Sequence, residues 1–189
     1  MANVNALVAR ATTTTCASAC DDDAVDQPTA SASIEIEAPA SLVYEIVSDV
    51  ARIPEWAAET ERCRWVGGAT GPAVGAKFRG TNRYRTLPWT TTCKVTAADP
   101  GKRFAFDVYF GVLPTARWEY LIEPAGPASD SGRCRVTEST WRLVPKPIST
   151  PVNLLLGIRD RDAHNQHNIE TTLGKLEDYA ETRARARSG

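Results

Sequence analysis

The chain lacks most of what would tie it to a membrane, a polyanion or a metal. Its 22 basic and 23 acidic side chains nearly cancel, to a net charge of −1 over 189 residues. Such a balance supplies no general grip on nucleic acid. The most basic stretch, Arg183, Arg185 and Arg187, is spaced through alanines and reads as a solubilising tail. No apolar run approaches the roughly 18 residues needed to span a membrane, so no transmembrane segment is expected. Met1 to Cys16 has no sustained apolar core, and no secretory signal is expected there. The two histidines, His164 and His167, would both project away from the apolar face of a helix, which predicts solvent exposure and no metal. Gly67, Gly68, Gly71 and Gly75 have no phosphate-binding spacing before a helix and read as a hairpin loop.

The five cysteines are odd in number, and Cys63, Cys93 and Cys134 fall in strand-like stretches. Reduced thiols in a cytoplasmic protein fit this better than a disulfide framework. None of the three has a histidine beside it in sequence to make it a nucleophile. Cys16 and Cys20 stand beside Asp21 to Asp23, yet no second Cys or His pair stands at ligand spacing. No cofactor is expected, and oligomeric state is open.

Residues 1 to 30 are rich in Ala, Thr, Ser and Asp and poor in aromatics, a composition that reads as a disordered tail. The domain is expected over 31 to 184, with a basic tail from 185 to 189. Ile34 and Ile36 alternate with Glu35 and Glu37, which predicts a half-buried strand. After Pro39 the residues Leu42, Val43, Ile46 and Val47 repeat at helical spacing, and Val50 to Ala58 reads as a second short helix at Pro54. Six strands separated by Gly, Pro and Asp turns follow: Glu61 to Val66, Lys77 to Arg85, Trp89 to Ala97, Arg103 to Phe110, Thr115 to Glu123 and Arg133 to Val144. A long amphipathic helix is predicted from Thr150 to Arg183, capped at Ser149-Thr150-Pro151, with Ile158, Ile169, Leu173, Leu176 and Ala180 on its apolar stripe. Counting back from Ile169 by threes and fours lands on Gln166, Asn165, Asp162 and Arg161 before Ile158. Polar groups on a docked face must meet partners, whether strand side chains, water or a ligand. The order predicts an α+β fold in which one long helix covers a seven-stranded antiparallel sheet.

Several phrases resemble the START-like SRPBCC superfamily of polyketide cyclase/dehydrase and lipid-transport type, with its helix-grip fold. They are Ile34 to Asp49 with Ile53-Pro-Glu-Trp56, Phe78 to Asn82, Trp118 to Pro124, Arg135 to Trp141, and Arg159-Asp-Arg161 to Leu173. The resemblance covers about residues 31 to 183. It implies a curved sheet, a cavity between sheet and last helix closed at one end by the short helices, and a hydrophobic small-molecule ligand. Period-two parity then selects the inward side chains. Trp118, Tyr120 and Ile122 share one face; so do Phe104, Phe106 and Val108; Phe78, Gly80, Asn82 and Tyr84; and Cys134, Val136, Glu138 and Thr140.

Three function classes follow. The leading expectation is a binding module for a lipid- or polyketide-like molecule, contacted by Trp56, Phe78, Asn82, Tyr84, Trp89, Phe106, Trp118, Tyr120, Asp162 and Gln166. The second is a polyketide cyclase/aromatase-type enzyme with Glu138 as acid, Tyr84 as hydroxyl donor and Asn82 as carbonyl orienter. A carboxyl in an apolar cavity has its pKa raised toward such use, while a structural pairing of Glu138 with an inward arginine or tyrosine hydroxyl is the competing reading. The third is a regulator acting through protein–protein contact at the groove rim.

Overall fold

Strand β1 (Ala30–Ile36) buries Ile36 fully and Ile34 in part while Glu35 stays exposed, as the alternation requires. The computed structural model describes residues 27–126, 132–145 and 158–188. Cys16, Cys20, the cap at Ser149-Thr150-Pro151 and most of the expected N-terminal tail lie outside the described residues. Helix α1 (Ala40–Ser48) follows Pro39 and buries Leu42, Val43, Ile46 and Val47. Helix α2 (Val50–Glu55) is a 3₁₀ segment that contains Pro54. It does not reach Ala58, because the N–H groups of Trp56 and Ala57 both fold back onto the Ile53 carbonyl.

The strands β2 (Thr60–Val66), β3 (Lys77–Tyr84), β4 (Leu87–Asp99), β5 (Arg103–Phe110), β6 (Leu113–Pro124) and β7 (Cys134–Arg142) complete the sheet. All pairings are antiparallel, in the spatial order β1-β7-β6-β5-β4-β3-β2. The β3–β4 hairpin is tighter than expected: Arg85 takes a φ of 54°, and Pro88 belongs to β4, opposite Arg83. Proline is tolerated there because β5 pairs with β4 only from Thr92 onward, so the missing N–H faces no neighbour.

Helix α3 (Arg161–Ser188) differs from expectation at both ends. It starts at Arg161, not Thr150, because Asp160 caps it: Oδ1 accepts from the N–H groups of Asp162 (3.0 Å) and Ala163 (3.1 Å). Ile158 therefore precedes the helix, although it is buried. At the other end Arg185 and Arg187 form helical turns instead of a tail, paired with Glu181 and with Glu45 of α1.

Parity in the sheet follows the prediction. Tyr120, Ile122, Phe104, Val136, Glu138 and Thr140 are buried, whereas Glu119 and Asp107 on the alternate positions pair with Arg103 and Arg117. Ile169, Leu173, Leu176 and Ala180 of α3 join this core at 0–2% exposure. The buried side chains of α1 and α2, with Trp56 just after them, close one end.

Candidate functional site

Toward its N-terminus α3 stands off the sheet, and a cavity of about 530 Å³ lies between them. Phe78, Trp89, Phe106, Val108 and Trp118 form apolar wall on the sheet side, and Ile53, Ala57 and Ala58 come from the segment around α2. Gly80 also lines it; a Cβ there would meet Cys63 Sγ and Thr91 Oγ1 at 3.5 Å, ordinary contact distance, so larger side chains would grow into the space.

The deepest polar group is Glu138. The residue is 2% exposed, and Oε1 accepts a hydrogen bond from Tyr120 Oη at 2.7 Å. The register places the two residues opposite each other on β6 and β7. Oε2 is buried with no hydrogen-bond partner among the described residues. Burial pushes the Glu138 carboxyl up to about 8, and the Tyr120 bond, the smaller influence, works against it. The same burial, aided by the neighbouring Glu138, drives the Tyr120 phenol well above its ordinary value. The Trp56 ring meets Tyr120 edge-on at 5.8 Å and is itself fully buried behind it.

Exposure rises from this floor to a mouth where Phe110 (56%) and Leu113 (45%) line the cavity. Here the charges gather: Arg142 of β7 pairs with Asp162, and Glu59 Oε1 lies 2.5 Å from His164 Nε2. Arg161, Asn165, Asn168 and Thr172 line the cavity along one face of α3, at spacings of four, three and four residues. On the sheet side Asn82 is held between Thr60 Oγ1, which donates to its Oδ1 (3.0 Å), and Thr91 Oγ1, which accepts from its Nδ2 (3.4 Å).

Of the residues expected to contact a ligand, Phe78, Asn82, Trp89, Phe106, Trp118, Tyr120 and Asp162 line the cavity, as does Glu138. Three do not. Trp56 is packed behind the wall. Gln166 turns to the β1 edge, where it accepts from Ser31 N (3.1 Å) and donates to Ser31 O (3.2 Å), satisfying an edge strand's backbone. Tyr84 lies at the end of β3, its ring edge-on to His164 at 4.7 Å and under the Arg85 guanidinium. His164 is consequently not solvent-exposed as expected but 14% exposed in its side chain; His167 is exposed. Among the described residues no group of three His, Cys, Asp or Glu stands together as a metal set. Cys63, Cys93 and Cys134 are free and buried, and burial pushes their thiols up to about 12, 12 and 11. Thiols so placed are protonated at neutral pH and are poor nucleophiles.

Sequence reasoning missed Arg161, Asn165, Asn168, Arg142 and Glu59. Arg161 and Asn165 were visible as polar interruptions of the helix stripe. What was hidden was which of four polar neighbours would face inward, since a rotation of one residue exchanges them.

A seven-stranded antiparallel sheet holding one long helix, with a ligand-sized cavity between, defines a helix-grip protein. The sequence matches the family model described as polyketide cyclase/dehydrase and lipid transport over residues 27–181. The chain belongs to that family. Among solved structures it is similar to a polyketide cyclase-like protein of Corynebacterium glutamicum, with 29% identity and a TM-score of 0.55 over 84% of this chain and 94% of that one. It is also similar in fold to a di-domain aromatase/cyclase from the steffimycin biosynthetic pathway (13% identity, TM-score 0.61, 83% of this chain and 46% of that one). A Nitrosomonas europaea protein shares the fold at 14% identity and a TM-score of 0.57, over 83% of this chain and 97% of that one. No curated protein matches the chain. No helix among the described residues is long and apolar enough to cross a membrane.

Proposed function

We propose that the chain encloses an apolar, ring-bearing small molecule of lipid or polyketide type between its sheet and α3. The observation that carries this reading is the cavity of about 530 Å³, walled by Phe78, Trp89, Phe106 and Trp118. Its polar groups include the Glu138 floor, the Asn82 cluster, the α3 stripe and the charged pairs at the mouth. That size suits a drug-sized molecule. A ligand burying about 300 Å² of apolar surface gains roughly 7 kcal/mol before the costs of immobilisation, so burial dominates and the polar groups set orientation. The buried free thiols support a reducing, cytoplasmic setting.

A second reading, enzymatic turnover of a poly-β-ketone as in aromatase/cyclases, is favoured by one observation: Glu138 is a fully buried cavity carboxyl whose Oε2 has no hydrogen-bond partner among the described residues, and burial pushes it up to about 8. In that role it is the acid that protonates a carbonyl oxygen as a new bond closes, and Asn82 orients a second carbonyl. The phenol beside it is Tyr120, not Tyr84.

The experiment is native mass spectrometry of the protein purified from its own host, with denaturing extraction of what accompanies it. A stoichiometric apolar molecule, absent from Gly80→Leu, is expected; binding that ignores Gly80→Leu would overturn the cavity reading. Glu138→Gln separates the two readings. Loss of turnover with affinity kept within a few-fold supports the acid role, and unchanged turnover removes it.

A further inference from the structure

Arg161 is the group in this cavity whose chemistry the enclosure of an apolar molecule leaves unused. It is half-buried in the lining, yet it makes no hydrogen bond or salt bridge among the described residues. The opposing charge acting on it is the Glu59 carboxylate. That carboxylate is already engaged by His164 Nε2 at 2.5 Å. Asp162, the other acid at the mouth, is paired with Arg142. Arg161 is therefore a cation whose two neighbouring acids each have another partner, His164 for Glu59 and Arg142 for Asp162. Burial pulls its guanidinium below its ordinary value, the sign of a charge that has lost water without full compensation. The first amides of α3 do not contribute, because Asp160 occupies those of Asp162 and Ala163.

Position adds a second constraint. Glu138 lies four residues deeper along β7 than Arg142, roughly 13 Å at strand rise. The neutral acid and the charged mouth thus mark two ends of one apolar volume. A molecule filling it meets a hydrogen-bonding carboxyl at its buried end and a guanidinium at its outer end, with Asn165 and Asn168 alongside. A guanidinium pairs well with a carboxylate, since its planar fork matches the two oxygens.

We propose that the cavity selects ligands carrying a carboxylate at the end nearest the mouth, and that Arg161 receives it. This rests on the cavity reading above and specifies the ligand's class: a flat or acyl body with one terminal acid. Asn165 and Asn168 position the acid's outer edge, and discrimination against the neutral alcohol or ester comes from Arg161 alone.

The test compares two probes that differ only in this group, 1-pyrenebutyrate and 1-pyrenebutanol, titrated by fluorescence into the full chain at low salt. The wild type is expected to prefer the acid about tenfold, the worth of one charge-assisted hydrogen-bonded contact. Arg161→Gln should reduce that preference to under about twofold, by weakening pyrenebutyrate more than pyrenebutanol, and Arg161→Lys should restore part of it. A wild type without preference, or a preference that survives Arg161→Gln, overturns the proposal. Gly80→Leu distinguishes the failures. If both probes are lost in it, the cavity is the site and only the carboxylate assignment is at stake. If neither probe binds the wild type, or neither responds to Gly80→Leu, the cavity reading fails and this inference falls with it.

Discussion

The two halves of α3 solve different problems with the same periodicity. From Ile169 to Ala180 the inward face is Ile169, Leu173, Leu176 and Ala180, packed dry against the core at 0–2% exposure. From Arg161 to Thr172 the inward face is Arg161, Asn165, Asn168 and Thr172, over the cavity. Amides and guanidinium cannot close against phenyl and indole rings without leaving their donors unpaired, so the helix cannot collapse onto the sheet there. Gly80 and the edge-on rings opposite leave room on the other side. The difference teaches that the packed core and the cavity draw on largely different stretches of one helix.

The comparison breaks most visibly under truncation. Leu176→Ala in the dry half should cost about 3 kcal/mol, within the usual range for a fully buried leucine. Asn165→Ala in the cavity half should cost under about 0.5 kcal/mol. Urea unfolding of both variants checks this, and comparable losses would mean that the cavity half is packed like core.

The next largest effect is pH-dependent and belongs to the cavity floor. The folded protein holds the Glu138 proton up to about pH 8, whereas a carboxyl in the unfolded chain releases it near 4.5. Between those values the folded state binds more protons, so stability is full below the lower one and declines as pH rises through the window. The loss is on the order of 3 kcal/mol by pH 7. Glu138→Gln keeps an acceptor for Tyr120 and removes the titration. Its unfolding free energy, followed from pH 4.5 to 8, should be flatter than that of the wild type, and parallel curves would show that the carboxyl is ionised in the fold.

A smaller effect than that of Glu138 concerns where the cavity half begins. Asp160→Ala removes the side-chain acceptor for two amides and should cost about 1 kcal/mol. Circular dichroism melting would register it, and no change would place the helix start elsewhere than Arg161.

Much of the fold is legible in the sequence. The seven strands and their turns follow from alternation and from Gly, Pro and Asp punctuation, and the inward face of β6 from Glu119, which is hard to bury unpaired. The helix start is harder to place, because Ser149-Thr150-Pro151 offers as good a local cap as Asp160, and local chemistry alone does not choose between them. Periodicity assigns Gln166 and Tyr84 to the cavity, and it holds for their elements. Gln166 instead meets the unpaired backbone of β1, and Tyr84 lies beyond the end of the space. The Tyr120–Glu138 bond is one of two fates open to that carboxylate from the sequence, and register decided it, since β6 and β7 place the two residues opposite each other.

By itself the sequence determined the α+β order of elements, the parity of each strand and the apolar stripe from Ile169 to Ala180, because these depend on local periodicity and side-chain burial. The tertiary structure alone decided that Arg161 stands without a hydrogen-bond or ion-pair partner among the described residues while Glu59 and Asp162 are taken. It also decided that Glu138 is dry enough to keep its proton. Both depend on which groups from distant segments arrive at one place, and on how much water their packing leaves.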